Sequence, residues 1–221
     1  MKQKILLASL VFVIIGIAFL PSKQNTLSAE SSGWVDIMPT SAFKRWTRVT
    51  IPPDRPMPKK SQWSIDAANG ALICAGDGGH EWLRYDRELG DFLFHVEWRL
   101  TKRAGNVKYN SGVFVRNNAQ GLIWYQAQVG NAGGGYFFGQ NPENGLLPRF
   151  SLRSTLTQQA VRPAGEWNTY DIRCQGKKLI LRVNGVKTSE FDDCNNPRGY
   201  VGLEAEGSRI EFRHMRIKVL D

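Results

Sequence analysis

The residues that could do chemistry lie on alternating positions. In Phe92-Leu93-Phe94-His95-Val96-Glu97-Trp98-Arg99-Leu100, the apolar Phe92, Phe94, Val96, Trp98 and Leu100 share one face and His95, Glu97 and Arg99 share the other. In Val113-Phe114-Val115-Arg116, the two valines take the inner side, which leaves Phe114 and Arg116 on the outer one. The same counting puts Trp124, Gln126 and Gln128 together, with Tyr125 and Ala127 opposite. One concave surface carrying Glu97, His95, Arg116, Trp124, Gln126 and Gln128 would offer a carboxylate, a guanidinium, two amides and an indole. That set suits a sugar ring, with polar groups for the hydroxyls and an indole for the apolar ring face. Asn131 and Tyr136 join as binding candidates from the stretch Gly130 to Gly145, which holds six glycines. Glycine at that density lets a ligand approach backbone, although an ordinary surface loop has the same composition.

Other groups carry less. His80 beside Glu81 invites an acid/base reading, but Asp77-Gly78-Gly79-His80 reads first as a turn. Glu81 and Glu143 are loop candidates. His80, His95 and His214 are scattered, and no His, Cys, Asp and Glu set has metal-ligand spacing, so neither a metal nor another cofactor is expected and a divalent cation has no support. Cys74, Cys174 and Cys194 make an odd number, and Cys174 with Cys194 is the pair to test for a disulfide. No strand carries the closely spaced acids of a retaining glucanase. Glu190-Phe191-Asp192-Asp193 lacks a third, so double displacement between two near carboxyls is excluded.

The elements that must position these residues are strands. Trp167 to Cys174 and Lys178 to Val183 are joined at Gln175-Gly176-Lys177, and Asn184-Gly185 marks the next hairpin. Gly199 to Ala205 and Arg209 to Leu220 form a further pair around Glu206-Gly207-Ser208. Many short strands with Gly, Pro and Asn turns and no long amphipathic helix predict an all-β sandwich or jelly roll.

Residues 1–29 stand apart. Lys2 and Lys4 precede an apolar run from Leu6 to Leu20, and Ala29 ends a polar stretch. This is a signal peptide or an N-terminal anchor, so the folded part, residues 30–221, is expected outside the cytoplasm, with membrane contact only through residues 5–20 if uncleaved. The chain has 29 basic and 20 acidic residues. Residues 1–29 hold three lysines and no acid, which leaves +6 on the rest. Those cations are dispersed and no nucleic-acid module is present, so nucleic acid is not expected as a partner.

Several segments together resemble one family. They are Trp63 with Asn69-Gly70-Ala71-Leu72, Tyr85-Asp86, Gly90-Asp91-Phe92 and Glu97-Trp98-Arg99. They continue with Asn110-Ser111-Gly112-Val113-Phe114-Val115-Arg116, Gly165-Glu166-Trp167-Asn168, Val183-Asn184-Gly185 and Phe212-Arg213-His214-Met215-Arg216-Ile217. The chain resembles the 3-keto-disaccharide hydrolase family from about Trp34 to Leu220. The resemblance implies a concanavalin-A-like jelly-roll β-sandwich of two antiparallel sheets, a sugar site on the concave sheet, and hydrolysis of glycosides oxidised at C3. On that reading Glu97 is the acid/base and Arg116 polarises the carbonyl. Family members commonly carry Glu-x-Gln and an Asp three residues on. Here Gln126-Ala127-Gln128 and Asn131 put amides at both carboxylate positions. An amide keeps the hydrogen bonds but cannot act as a base. A glycan-binding module without turnover is therefore the alternative to a hydrolase, and an interaction domain without a sugar role is the third reading.

Overall fold

The alternation of apolar residues resolves into paired strands in the computed structural model, which describes residues 33–40, 42–131 and 133–220. The signal or anchor expected at residues 1–29 lies outside the described residues. In chain order the strands are β1 Trp34–Asp36, β2 Trp46–Thr50, β3 Trp63–Asp66, β4 Ala71–Cys74, β5 Glu81–Tyr85, β6 Phe92–Leu100, β7 Ser111–Asn117 and β8 Trp124–Val129. They continue with β9 Phe137–Gln140, β10 Arg149–Ser151, β11 Asn168–Gln175, β12 Lys178–Val183, β13 Val186–Phe191, β14 Tyr200–Ala205 and β15 Ile210–Val219. Among the described residues the only helical turn is the 3-10 turn Arg153–Thr155.

Two antiparallel sheets result, as a jelly-roll β-sandwich requires. The first sheet runs β13-β12-β11-β6-β15-β4-β3, with β1 on β15, and the second runs β10-β9-β8-β7-β14-β5-β2. Asn184 and Gly185 both adopt positive φ, which closes the β12–β13 hairpin between the paired Val183 and Val186. Phe92, Phe94, Val96 and Trp98 of β6 and Tyr170 and Ile172 of β11 are buried between the sheets. Val113 and Val115 of β7, Tyr125 and Ala127 of β8, and Val201 and Leu203 of β14 are buried with them in one core. Tertiary burial, more than local propensity, sets the register, because a slip of one residue would turn each of these sets outward.

Two bulges interrupt the alternation. In β15 the pairing with β6 shifts between Arg213 and Arg216, and His214 has positive φ. In the β14–β7 ladder the register shifts between Tyr200 and Gly202, beside Arg116 with φ 55°. Cys174 and Cys194, the pair to test for a disulfide, are not joined. All three thiols are free and buried, and burial pushes the Cys74 thiol up to about 12.

Candidate functional site

The outer face of the seven-stranded sheet carries a cleft of about 700 Å³. Its floor is built from β5, β7, β8 and β14, whose outward positions are Trp82, Phe114, Gln126 and Glu204. Two glycines make the floor possible. A side chain at Gly112 would occupy the space of the Gln126 amide, and one at Gly202 would run into the ring of Trp82. With Gly112 bare, Gln126 reaches across β7 and its Nε2 donates to Glu204 Oε2 at 2.7 Å.

Glu204 is the centre of this network. Its side chain is 4% exposed. Its other oxygen, Oε1, sits 2.9 Å from His80 Nε2. His80 also faces Glu206, which follows the last residue of β14, at 3.9 Å. Asn110 Nδ2 donates to Glu206 Oε2 at 2.5 Å, and Gln128 Nε2 donates to Asn110 Oδ1 at 2.8 Å. Burial raises the Glu204 carboxyl above its ordinary value, and the negative charge of Glu206 adds to this against the hydrogen bonds from His80 and Gln126. Burial alone would lower His80, but the hydrogen bond and charge of Glu204 and the charge of Glu206 outweigh it, so the imidazole is raised too. The pair therefore holds a proton more tightly than either group would in water. One imidazole nitrogen and two carboxylate oxygens within 4.8 Å of one another are also a donor set that a divalent cation takes. His80 stands just before β5, while Glu204 lies near the end of β14 and Glu206 follows that strand, so the histidine lies far from both carboxylates in the sequence and no ligand spacing shows there.

One wall of the cleft is aromatic. Trp82 packs edge-on against Phe114, Phe114 against Trp124, and Trp124 against Phe138, with centroids 5.6, 6.4 and 5.0 Å apart. Tyr136 lies 5.9 Å from Phe138, and Trp124 Nε1 donates to Gln140. Among the described residues the buried Trp82 Nε1–H has no acceptor. Arg55 and Arg149 line the cleft and make no ion pair among the described residues.

The residues expected on one surface are divided between two. Trp124, Gln126, Gln128 and Tyr136 do line the cleft, and Asn131 lines a pocket beside it. Glu97 and His95 do not. Both belong to β6 in the other sheet and point away from the cleft. Glu97 is held there by Arg213 Nε at 2.7 Å and His214 Nδ1 at 2.9 Å, while His95 Nδ1 meets Asp171 at 2.6 Å. Alternation identifies the outward side of each strand, but a sandwich has two outward sides, and strand order decides which is which. Arg116 is also displaced from the expected place. The bulge turns its side chain inward, fully buried, where Nη2 meets Asp91 at 2.9 Å and Nη1 donates to the carbonyls of Gly176 and Asn196. Of the two carboxylates expected in loops, Glu81 instead opens β5, faces inward with Leu83 and receives Arg48 and the indole N–H of Trp63, whereas Glu143 is exposed in the loop after β9.

Sequence reasoning missed Glu204 and Glu206 and set His80 aside. The available signal was the period-two pattern Gly202-Leu203-Glu204-Ala205-Glu206, in which Leu203 and Ala205 face in and both carboxylates face out.

The model of the 3-keto-alpha-glucoside-1,2-lyase-like domain matches residues 32–218 of this chain. Among solved structures, a provisionally named glycosyl hydrolase of Parabacteroides distasonis superposes with a TM-score of 0.62 at 15% identity, covering 89% of this chain and 98% of its own. The carbohydrate binding module CBM66 of Bacillus subtilis superposes with a TM-score of 0.58, also at 15% identity, over 79% and 95%. At these identities both show the fold alone. Two curated relatives, queuine tRNA-ribosyltransferases of Actinobacillus pleuropneumoniae serotypes 5b and 7, are 24% identical over 161 residues, or 70% of this chain. The chain spans 41% of the length of those relatives.

Proposed function

This chain belongs to the 3-keto-alpha-glucoside-1,2-lyase-like family, and we propose that it cleaves 3-keto-disaccharides at the Glu204–His80 pair in the cleft of the seven-stranded sheet. The observation that carries this reading is a buried carboxylate hydrogen-bonded to a half-exposed imidazole, with no arginine or lysine on the carboxylate among the described residues. Perturbed, proton-sharing pairs of this kind mark acid/base sites.

A ketone at C3 makes the C2 proton acidic. The Glu204 carboxylate takes that proton, the C2–H electron pair becomes the C1–C2 double bond, and the C1–O bond to the leaving sugar breaks. The His80 imidazolium gives its proton to the departing oxygen. Glu204 then passes the proton it gained to His80 along their 2.9 Å hydrogen bond, which restores both groups. The guanidinium of Arg55, in the same cleft and without an ion pair among the described residues, offers donors to the oxygen that becomes the enolate. Trp124 and Tyr136 present ring faces to the sugar. Water added across the double bond completes a net hydrolysis.

The test is release of free sugar from a 3-keto-disaccharide, with and without divalent cations, by the wild type and by Glu204→Gln. Turnover in the wild type that the variant loses supports the reading. Binding without turnover in the wild type would instead favour a glycan-binding module, the reading that the amides Gln126 and Asn131 support.

A further inference from the structure

Beside the main cleft lies a second pocket of about 520 Å³, which shares Gln128 and Tyr136 with it, so the two form one continuous groove. Its remaining lining includes Lys108, Tyr109, Asn131 and Arg153, with no aspartate or glutamate. The floor is set by tightly bonded backbone. Gly135 N–H donates to the Gln128 carbonyl at 2.8 Å, and Tyr170 O–H donates to that same carbonyl at 2.5 Å. Arg153 leans over this floor, with Nη2 3.8 Å from where a side chain at Gly133 would begin.

The charges in the pocket are uncompensated. Neither Lys108 nor Arg153 makes a side-chain ion pair among the described residues, whereas Lys178 and Lys187 on the opposite sheet are bound to carboxylates at 2.7–2.8 Å. Two cations lining one cavity, with Asn131 on the same wall and the Gln128 amide N–H groups already donated to Asn110, Ser111 and Val129, form a receptor for an anion. The main cleft differs in sign at its floor, where Glu204 and Glu206 lie. A substrate that bridges the groove would therefore place a neutral ring over the carboxylates and a negative group in the side pocket.

Resting on the reading that the main cleft holds a sugar, we propose that the side pocket is a second subsite for an anionic saccharide unit, one bearing a carboxylate or a sulfate ester. Lys108 and Arg153 recognise the negative group, and Tyr136, shared between the pockets, packs against the sugars at the junction.

The experiment is a calorimetric titration of the full chain with three disaccharides: a neutral one, the same one carrying a uronic acid, and the same one carrying a sulfate monoester. Each is titrated into the wild type and into Lys108→Ala/Arg153→Ala, at low and at high salt. In the wild type at low salt one or both anionic forms are expected to bind about tenfold tighter than the neutral parent, a preference that salt screens. In the double variant they fall to the affinity of the neutral parent, which itself is unchanged. Both substituted side chains are exposed, so the fold is retained, and the unchanged neutral affinity verifies it. Which arm gains, uronate or sulfate, identifies the anion. Equal affinity of all three compounds in the wild type, or an equal loss of all three in the variant, overturns the inference while leaving the sugar cleft in place. No binding of any of them overturns the sugar reading along with it.

Discussion

The two outer faces of the sandwich each present a carboxylate beside a histidine, and the two pairs are built for different ends. On the eight-stranded sheet, Glu97 is bound by Arg213 and His214, and Arg213 in turn stacks 3.9 Å over Trp167, where Arg99 also rests at 4.6 Å. Burial alone would raise the Glu97 carboxyl, but the hydrogen bonds of His214 and Arg213 and the charge of Arg213 hold it below the ordinary range. On the seven-stranded sheet, Glu204 has a neutral amide and an imidazole for partners, and burial raises its carboxyl. A guanidinium pins a carboxylate in its charged form. An amide and an imidazole in a low-dielectric pocket leave it able to take and return a proton. Residue type and outward orientation are the same in both cases, and the partners make the difference.

The largest expected effect that would break this comparison is on turnover. Glu204→Gln keeps the shape and the Gln126 contact but removes the base, so the elimination rate is expected to fall about 10²- to 10⁴-fold, with an unchanged circular dichroism spectrum. Next comes stability. Arg116→Ala leaves Asp91 and two carbonyls without their partner in the sandwich interior. Because Asp91 is partly exposed, the cost in urea unfolding is expected at about 3 kcal/mol, the lower end for a broken buried pair.

The pH dependence of stability separates the faces by sign. Glu204 and His80 are both raised in the folded state, so what they contribute is present below their ordinary values, 4.5 and 6.5, and is lost as pH rises through the higher folded values. Glu97 is lowered, so its contribution is present above 4.5 and is lost as pH falls toward its folded value. The urea midpoint is accordingly expected to fall as pH rises from mildly acid to mildly basic, with a shallower slope in Glu204→Gln. The smallest effect is for Glu97→Gln. Its ion pairs are partly exposed, so stability should drop by about 1 kcal/mol at neutral pH and turnover should stay within twofold of the wild type.

Much of the fold was legible because burial writes a period into the strands. Phe92 to Leu100 and the Asn184-Gly185 hairpin stand where alternation and turn chemistry put them. The cleft was legible in part. Trp124, Gln126 and Gln128 line it, since the outward side of β8 follows from its own sequence, and Tyr136 lines it from the glycine-rich stretch before β9. The grouping was not, because it depends on which strands share a sheet. β6 lies in one sheet and β7 and β8, which follow it in the chain, lie in the other, so Glu97 and Gln126 never meet. Arg116 was misplaced by a bulge, a single positive φ that composition does not announce. His80 and Glu204 lie 124 residues apart and meet only through the β14–β5 pairing.

The most direct test of the Glu204–His80 pair is the pH–rate profile of kcat/KM on a 3-keto-disaccharide, measured for the wild type and His80→Gln. The wild type is expected to give a bell, with its acid limb above 4.5 as Glu204 ionises and its basic limb above 6.5 as His80 loses its proton, and the variant to lose the basic limb. A wild-type profile without these limbs, or an unaltered bell in His80→Gln, would contradict the roles given to this pair.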